Sequence, residues 1–151
     1  PELNQTFDGG RLTAVQGQPV GIAVATDANV VLAPVVQTAV DAGLEALASH
    51  SGELISRARG GKIMASDQVP AAITVSNLGM YGVTAFTAMV TPPQVMVLSV
   101  GAVQRIPVFN EADEVVARSV ITLTLGSDHR VVNGAQAAAF LKAVVAGLEN
   151  N

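Results

Sequence analysis

The residues best suited to chemistry cluster in Ser127-Asp128-His129-Arg130, followed at Asn133-Gly134 by an amide and a glycine. Imidazole, with an ordinary pKa near ~6.5, exchanges protons readily at neutral pH, so His129 is the candidate base. A histidine at a strand end is more often structural than catalytic, and its neighbours must make the case. Ser127, Asp128 and His129 do not read as a Ser-His-Asp triad, because successive residues of an extended chain point to opposite faces. Asp128 and Arg130, two positions apart, share a face and read as an ion pair flanking the histidine. A second candidate group is the hydroxyl of Ser76, which stands just before Gly79-Met80-Tyr81-Gly82. Two glycines there permit a tight bend that brings backbone and hydroxyl close to a bound molecule. This spacing is neither a dinucleotide fingerprint nor a phosphate loop. The chain has no cysteine, hence no thiolate nucleophile, disulfide or cysteine-based metal site.

These groups need elements to display them. Val120-Ile121-Thr122-Leu123-Thr124-Leu125 alternates as a strand, which places His129 where that strand ends. Gly134 is expected to release the chain into an Ala-rich helix running to about Leu148, with Phe140, Leu141, Val144 and Val145 among its larger apolar groups. The run 72–78 reads as a strand entering the glycine turn, and 95–102 as a well-buried strand. Earlier, Phe7-Asp8-Gly9-Gly10 marks a turn between short extended pieces. Val20 to Ala25 and Val30 to Val36 read as an antiparallel pair. Asp41 is the expected N-cap of an amphipathic helix whose apolar face is Leu44, Leu47, Leu54, Ile55 and Ala58. That helix should cover a sheet face and end at Gly60-Gly61, with Arg57 and Arg59 facing its negative end. His50 reads as a solvent-side residue. Asn110 to Glu114 is a hairpin turn. At least six strands and two helices, with strands often consecutive, predict an α/β (α+β) domain: a mixed or largely antiparallel sheet covered by helices.

Half of the 151 residues are apolar and only 13% are charged, against about 25% in ordinary soluble domains. Such a surface is expected to be buried between copies of the chain. A net charge of −4 with eight thinly spread basic residues excludes a nucleic-acid groove. The apolar runs are broken by Pro34, Pro70, Pro92 and Pro93, which excludes a membrane-spanning helix. Pro1-Glu2-Leu3-Asn4 has neither an initiator Met nor a signal-like apolar stretch, and reads as the middle of something longer.

Asp-His-Arg-x-x-Asn-Gly over 128–134 resembles the His-x-x-x-Asp-Gly signature of the dihydrolipoamide acyltransferases of 2-oxo acid dehydrogenase complexes, a signature shared with chloramphenicol acetyltransferase. The likeness extends over almost the whole chain. Pro1 to Gly9 is similar to that family's Pro-x-x-Asn-x-x-x-Asp segment, and 21–36 to its paired central strands. Ser76-Asn77-Leu78-Gly79-Met80-Tyr81-Gly82 with Thr91-Pro92-Pro93-Gln94 resembles its second signature. In one departure, Asn133 stands where the family usually has Asp. In the other, the family's catalytic domain begins upstream of Pro1. Residues 1–151 therefore read as a partial acyltransferase catalytic domain, without the lipoyl and peripheral-subunit-binding domains.

The resemblance implies a chloramphenicol acetyltransferase-like fold and a trimer, within a possibly larger core, with active sites between subunits. It implies acyl transfer, acetyl in the pyruvate-type members that 76–82 is most like, between dihydrolipoamide and coenzyme A. Coenzyme A is then a substrate, the lipoyl group rides on a domain absent from this chain, and no metal is required. His129 would be the base, Ser76 the donor to the oxyanion, and Asn133 the residue holding the active-site turn. Partners would be further copies of the chain and the 2-oxo acid dehydrogenase and dihydrolipoamide dehydrogenase components. The compartment would be the cytoplasm in a bacterium, otherwise the mitochondrial matrix or a plastid. Two other readings stand beside this one: a non-catalytic or truncated scaffold derived from the core, and a chloramphenicol-type acetyltransferase of small molecules.

Overall fold

A computed structural model describes residues 2–37 and 43–150. Its centre is a five-stranded mixed sheet. The strands are β3 (Val20–Ile22), β6 (Val35–Val36), β7 (Ile73–Asn77), β8 (Met96–Val100) and β11 (Leu123–Ser127), in the order β11-β8-β7-β3-β6. β3, β7 and β8 run parallel, while β11 and β6 close the two sides antiparallel. Val95, Met96, Val97 and Leu98 are buried in succession, the mark of a strand covered on both faces rather than one. With Ala72 and Val132, Val95 and Met96 form the core cluster, against which Phe7, Leu125, Val131, Ala137 and Phe140 pack.

Three two-stranded pieces surround this sheet: the hairpin of β1 (Gln5–Asp8) with β2 (Arg11–Ala14), the pair of β4 (Val24–Ala25) with β5 (Val31–Leu32), and the hairpin of β9 (Gln104–Phe109) with β10 (Val115–Val120). The expected turns at 7–10 and 110–114 both join antiparallel partners. The expected antiparallel pairing of 20–25 with 30–36 holds as well, but each run is cut in two. The run Val120 to Leu125 is likewise split between β10 and β11, because Thr122 turns its carbonyl to the amide of Gly101 (3.0 Å) as the chain changes sheets.

Helix α1 (Gly43–Arg59) ends as its glycines dictate. Lys62 N donates to Arg57 O (2.9 Å) and Gly61 N to Ala58 O (3.1 Å), a closure that needs the left-handed φ of 66° at Gly61. The Asp41 cap lies outside the described residues. Arg57 departs from its expected role at the helix end: its guanidinium reaches 2.9 Å to the buried Asp67, whose other oxygen accepts Met64 N. The apolar face also departs from expectation. Leu54 and Ala58 are buried on a helix that packs against β4 and β6, but Leu44 is 82% and Leu47 41% exposed, facing an open groove shared with Ile22, Val24 and Val36 rather than a packed sheet. His50 is exposed as expected. Among the described residues no helix is long and apolar enough to cross a membrane.

Candidate active site

His129 sits on the turn between β11 and α2 (Gly134–Glu149), and both flanks of the turn are pinned. Upstream, Asp128 N donates to Val95 O (2.9 Å), carrying the β11 register past its last ladder pair. Downstream, Val131 N and Val132 N both donate to Asp128 O (2.9 Å each), and Val132 is wholly buried. The Asp128 carboxylate accepts Arg130 N (3.0 Å) and is gripped by the guanidinium at 2.6–3.2 Å. These hydrogen bonds, side chain first and backbone second, hold the Asp128 carboxyl down at about 2 and raise the Arg130 guanidinium. The expected ion pair is therefore present. Between these fixed neighbours His129 is exposed, and its imidazole makes no hydrogen bond among the described residues.

Asn133 caps α2. Its Oδ1 accepts Gln136 N (2.9 Å) while Gln136 Oε1 accepts Asn133 N (3.0 Å), a reciprocal box that satisfies two otherwise orphaned amides. Gly134 is the first helical residue, so the releasing turn expected there is made instead by Asp128 and Asn133.

Ser76 lies on β7, one residue before its end, half-buried and with its hydroxyl unpartnered among the described residues. Beyond it Asn77 Oδ1 accepts Gly79 N (2.8 Å), and a short 3-10 turn, Gly79–Tyr81, closes on Gly82 at a φ of 75°. A Cβ on Gly79 would come within 2.9 Å of Gly101 O, so that glycine is needed for close approach and Gly82 for its left-handed backbone. Ser76 faces an open groove of about 1220 Å³ walled by Ile22, Val24, Leu44, Leu47 and Tyr81.

The two candidate groups are not brought together within one chain. Ser127 is level with Met96 and Ser76 with Ser99, three residues further along and two strands across. At about 3.3 Å per residue and 4.8 Å per strand, Ser127 and Ser76 stand roughly 14 Å apart. His129 lies two residues further in the opposite direction. Ser76 and His129 thus mark opposite ends of the sheet, and no single reacting bond can touch both.

Four residues that position the site were not singled out from sequence. Asn4 donates to Val15 O (2.9 Å) and Gly17 O (2.8 Å), Phe7 lies under Arg130, and Thr74 Oγ1 meets Gln94 Oε1 at 2.6 Å. Asn4, Phe7 and Gln94 fall inside the segments that carried the resemblance, which was the available signal for their role at the site. Among the described residues no group of His, Asp and Glu is arranged to hold a metal ion.

A mixed sheet covered by two helices, with a histidine displayed past one end and a serine at the other, defines a chloramphenicol acetyltransferase-like domain. Residues 1–151 match the family described as 2-oxoacid dehydrogenases acyltransferase (catalytic domain), and the chain belongs to that family. It is 34% identical over 143 residues to the dihydrolipoyllysine-residue acetyltransferase component of the pyruvate dehydrogenase complex of Zymomonas mobilis, covering 95% of this chain and 32% of that protein. The chain thus spans about a third of that relative's length. A solved dihydrolipoamide acetyltransferase of Azotobacter vinelandii is 34% identical with a TM-score of 0.85, over 95% of this chain and 59% of that one. The cubic core of the pyruvate dehydrogenase multienzyme complex is 35% identical with a TM-score of 0.84, over 94% and 58%. The Azotobacter work concerned the catalytic roles of a serine, a histidine 52 residues later and an asparagine four after that. Ser76, His129 and Asn133 stand at nearly the same intervals, with asparagine rather than aspartate at the third position.

Proposed function

We propose that this chain transfers an acyl group, acetyl in the first instance, between dihydrolipoamide and coenzyme A as part of the core of a 2-oxo acid dehydrogenase complex. The observation that carries this reading is His129, held rigidly at its flanks yet uncommitted at its ring. In the proposed mechanism, the imidazole takes the proton of the attacking coenzyme A thiol. From ordinary values this transfer is uphill by about 2 pKa units, or roughly 2.7 kcal/mol, within reach of a positioned base. The thiolate adds to the thioester carbonyl, the Ser76 hydroxyl donates to the oxyanion so formed, and collapse expels the lipoyl thiolate. That thiolate recovers the proton from the imidazolium.

Because Ser76 and His129 mark opposite ends of one sheet, the reading places each reaction between two copies, Ser76 from one and His129 from the next. A trimer closes such a head-to-tail arrangement with three equivalent sites. The similarity to a cubic core supports assembly beyond it. Asn133 keeps the His129 turn in register with α2. Residues 1–151 are read as part of a larger catalytic domain, which the 59% coverage of the Azotobacter chain supports. The lipoyl carrier and the dehydrogenase partners belong to the wider complex.

Mixing inactive variants is the test. Ser76→Ala and His129→Ala, each nearly inactive, are co-refolded and assayed for acetyl transfer from acetyl-CoA to dihydrolipoamide. Random pairing makes about one interface in four intact, so roughly a quarter of wild-type activity should return. No recovery in a mixed assembly whose wild-type counterpart is active would place both groups in one copy. An assembly that forms but never transfers would make the chain a scaffold.

A further inference from the structure

The histidine turn is braced from a distant part of the chain. The Arg130 guanidinium lies over the Phe7 ring, 4.6 Å from its centroid, while its other edge grips Asp128. Phe7 is itself fixed: its amide donates to Pro93 O (2.7 Å), and its ring packs on the cluster containing Val95, Met96 and Val132. The β1–β2 hairpin that carries it is locked at its base, where Asn4 donates to Val15 O and Gly17 O and accepts Val15 N (2.9 Å). An arginine side chain that is 66% exposed would ordinarily sample many rotamers. A planar cation stacked on a ring, with a carboxylate at its edge, holds one.

We propose that Phe7 is a positioning residue for the reaction: the ring fixes Arg130, Arg130 fixes the Asp128 carboxylate, and the two residues flanking His129 thereby aim its imidazole. The inference rests on the acyltransferase reading given above. It assigns to the N-terminal hairpin a part in that reaction without contact with substrate or with His129.

The test is a double-mutant cycle with Phe7→Leu and Arg130→Met, read as kcat and KM for acetyl transfer, with Phe7→Tyr as the conservative control. Misaiming a base by a fraction of an ångström lowers kcat about tenfold and leaves KM for both substrates nearly unchanged. Phe7→Leu and Arg130→Met should each show that loss, the double variant no more than either alone, and Phe7→Tyr should retain wild-type kcat. A merely structural Phe7 would give additive losses, or equal falls for Leu and Tyr, and either result overturns the proposal. Hydrogen exchange at the amides of Arg130, Val131 and Val132 separates this proposal from the functional reading. In either single variant those amides should exchange about tenfold faster, while the β8–β11 ladder is unchanged. If the wild type transfers nothing, the acyltransferase reading fails and exchange alone decides whether the brace exists. If Phe7→Leu does not fold, Arg130→Met, at an exposed position, carries both readouts. Unchanged kcat and unchanged exchange there would end the proposal.

Discussion

His129 and Ser76 stand at opposite ends of one sheet, and the two ends are finished differently. Around His129 three neighbours are satisfied from within the chain: Asp128 by Arg130 and by Val95 just before β8, Val132 by the core, Asn133 by Gln136. Around Ser76 the turn is well formed, but among the described residues what lies beyond it is open. Met80 and Tyr81 are 66% and 71% exposed, and Leu44 projects from α1 into the same groove. An end complete in isolation can aim a base. On the proposed reading, the end that leaves apolar side chains and a hydroxyl uncovered is the one that a second copy finishes.

The comparison is broken most directly at its two reacting groups. His129→Ala should lower acetyl transfer by about 10²–10⁴, the usual contribution of a positioned base, without moving the melting temperature, since the ring has no hydrogen-bond partner among the described residues. Ser76→Ala should cost about 10²–10³ in kcat, the loss expected for one oxyanion donor. Steady-state kinetics with parallel thermal melts checks both. A fall in stability that tracks the fall in rate would make either residue structural.

The next effect is on folding at the Ser76 end. Gly79→Ala places a Cβ against Gly101 O at 2.9 Å and Ala102 Cα at 3.1 Å, backbone atoms that cannot swing aside. Prising the turn away from the end of β8 should destabilise the chain by about 1–3 kcal/mol. Urea denaturation measures this, and an unchanged midpoint would mean that the turn is not held against β8.

A smaller effect is expected at the other end, and it shows what kind of information the sequence carried. Asn133→Ala removes the reciprocal cap of α2, worth about 1 kcal/mol, or a fall of about 2–4 °C in melting temperature for a chain of this size. Calorimetry on the variant, with Asn133→Asp as the cap-preserving control, reads it. The α2 start, the Gly61 closure of α1 and the Asp128–Arg130 pair are made by residues two to five positions apart; the closure and the pair were read from neighbours alone, while the start of α2 was placed on Gly134 rather than on the Asn133 cap. Asn133 was marked by resemblance, as the residue holding the active-site turn; its cap with Gln136 is seen only in the structure. The strand order, the bracing of Arg130 by Phe7 and the pairing of Arg57 with Asp67 depend on chain segments meeting, which no local pattern encodes. The misjudged exposure of Leu44 and Leu47 has the same origin: helical periodicity tells which side of a helix is apolar, and only what packs against that side decides how much of it is covered.

Acid sharpens the contrast between the ends, because the His129 turn is closed by the Asp128 carboxylate, whereas the turn after Ser76 is closed by the Asn77 amide. With its folded pKa near 2 against an ordinary 3.8, Asp128 binds its proton more readily in the unfolded chain than in the folded one. Its contribution is therefore fully present above about pH 4 and is lost as the pH falls toward 2, the depressed-carboxylate case. Asp67, also held low by its backbone hydrogen bond and by Arg57, adds a slope of the same sign, so the slope of the wild type alone does not isolate Asp128. The difference between wild type and Asp128→Asn does, because Asp67 is common to both. The urea midpoint of the wild type should fall more steeply than that of the variant between about pH 4 and 2 and in parallel with it above. In the same window, exchange at the amides of Arg130 and Val131 should quicken before that at Leu78 and Gly79. Equal slopes, or the Ser76 turn loosening first, would mean that the ion pair does not hold the histidine end together.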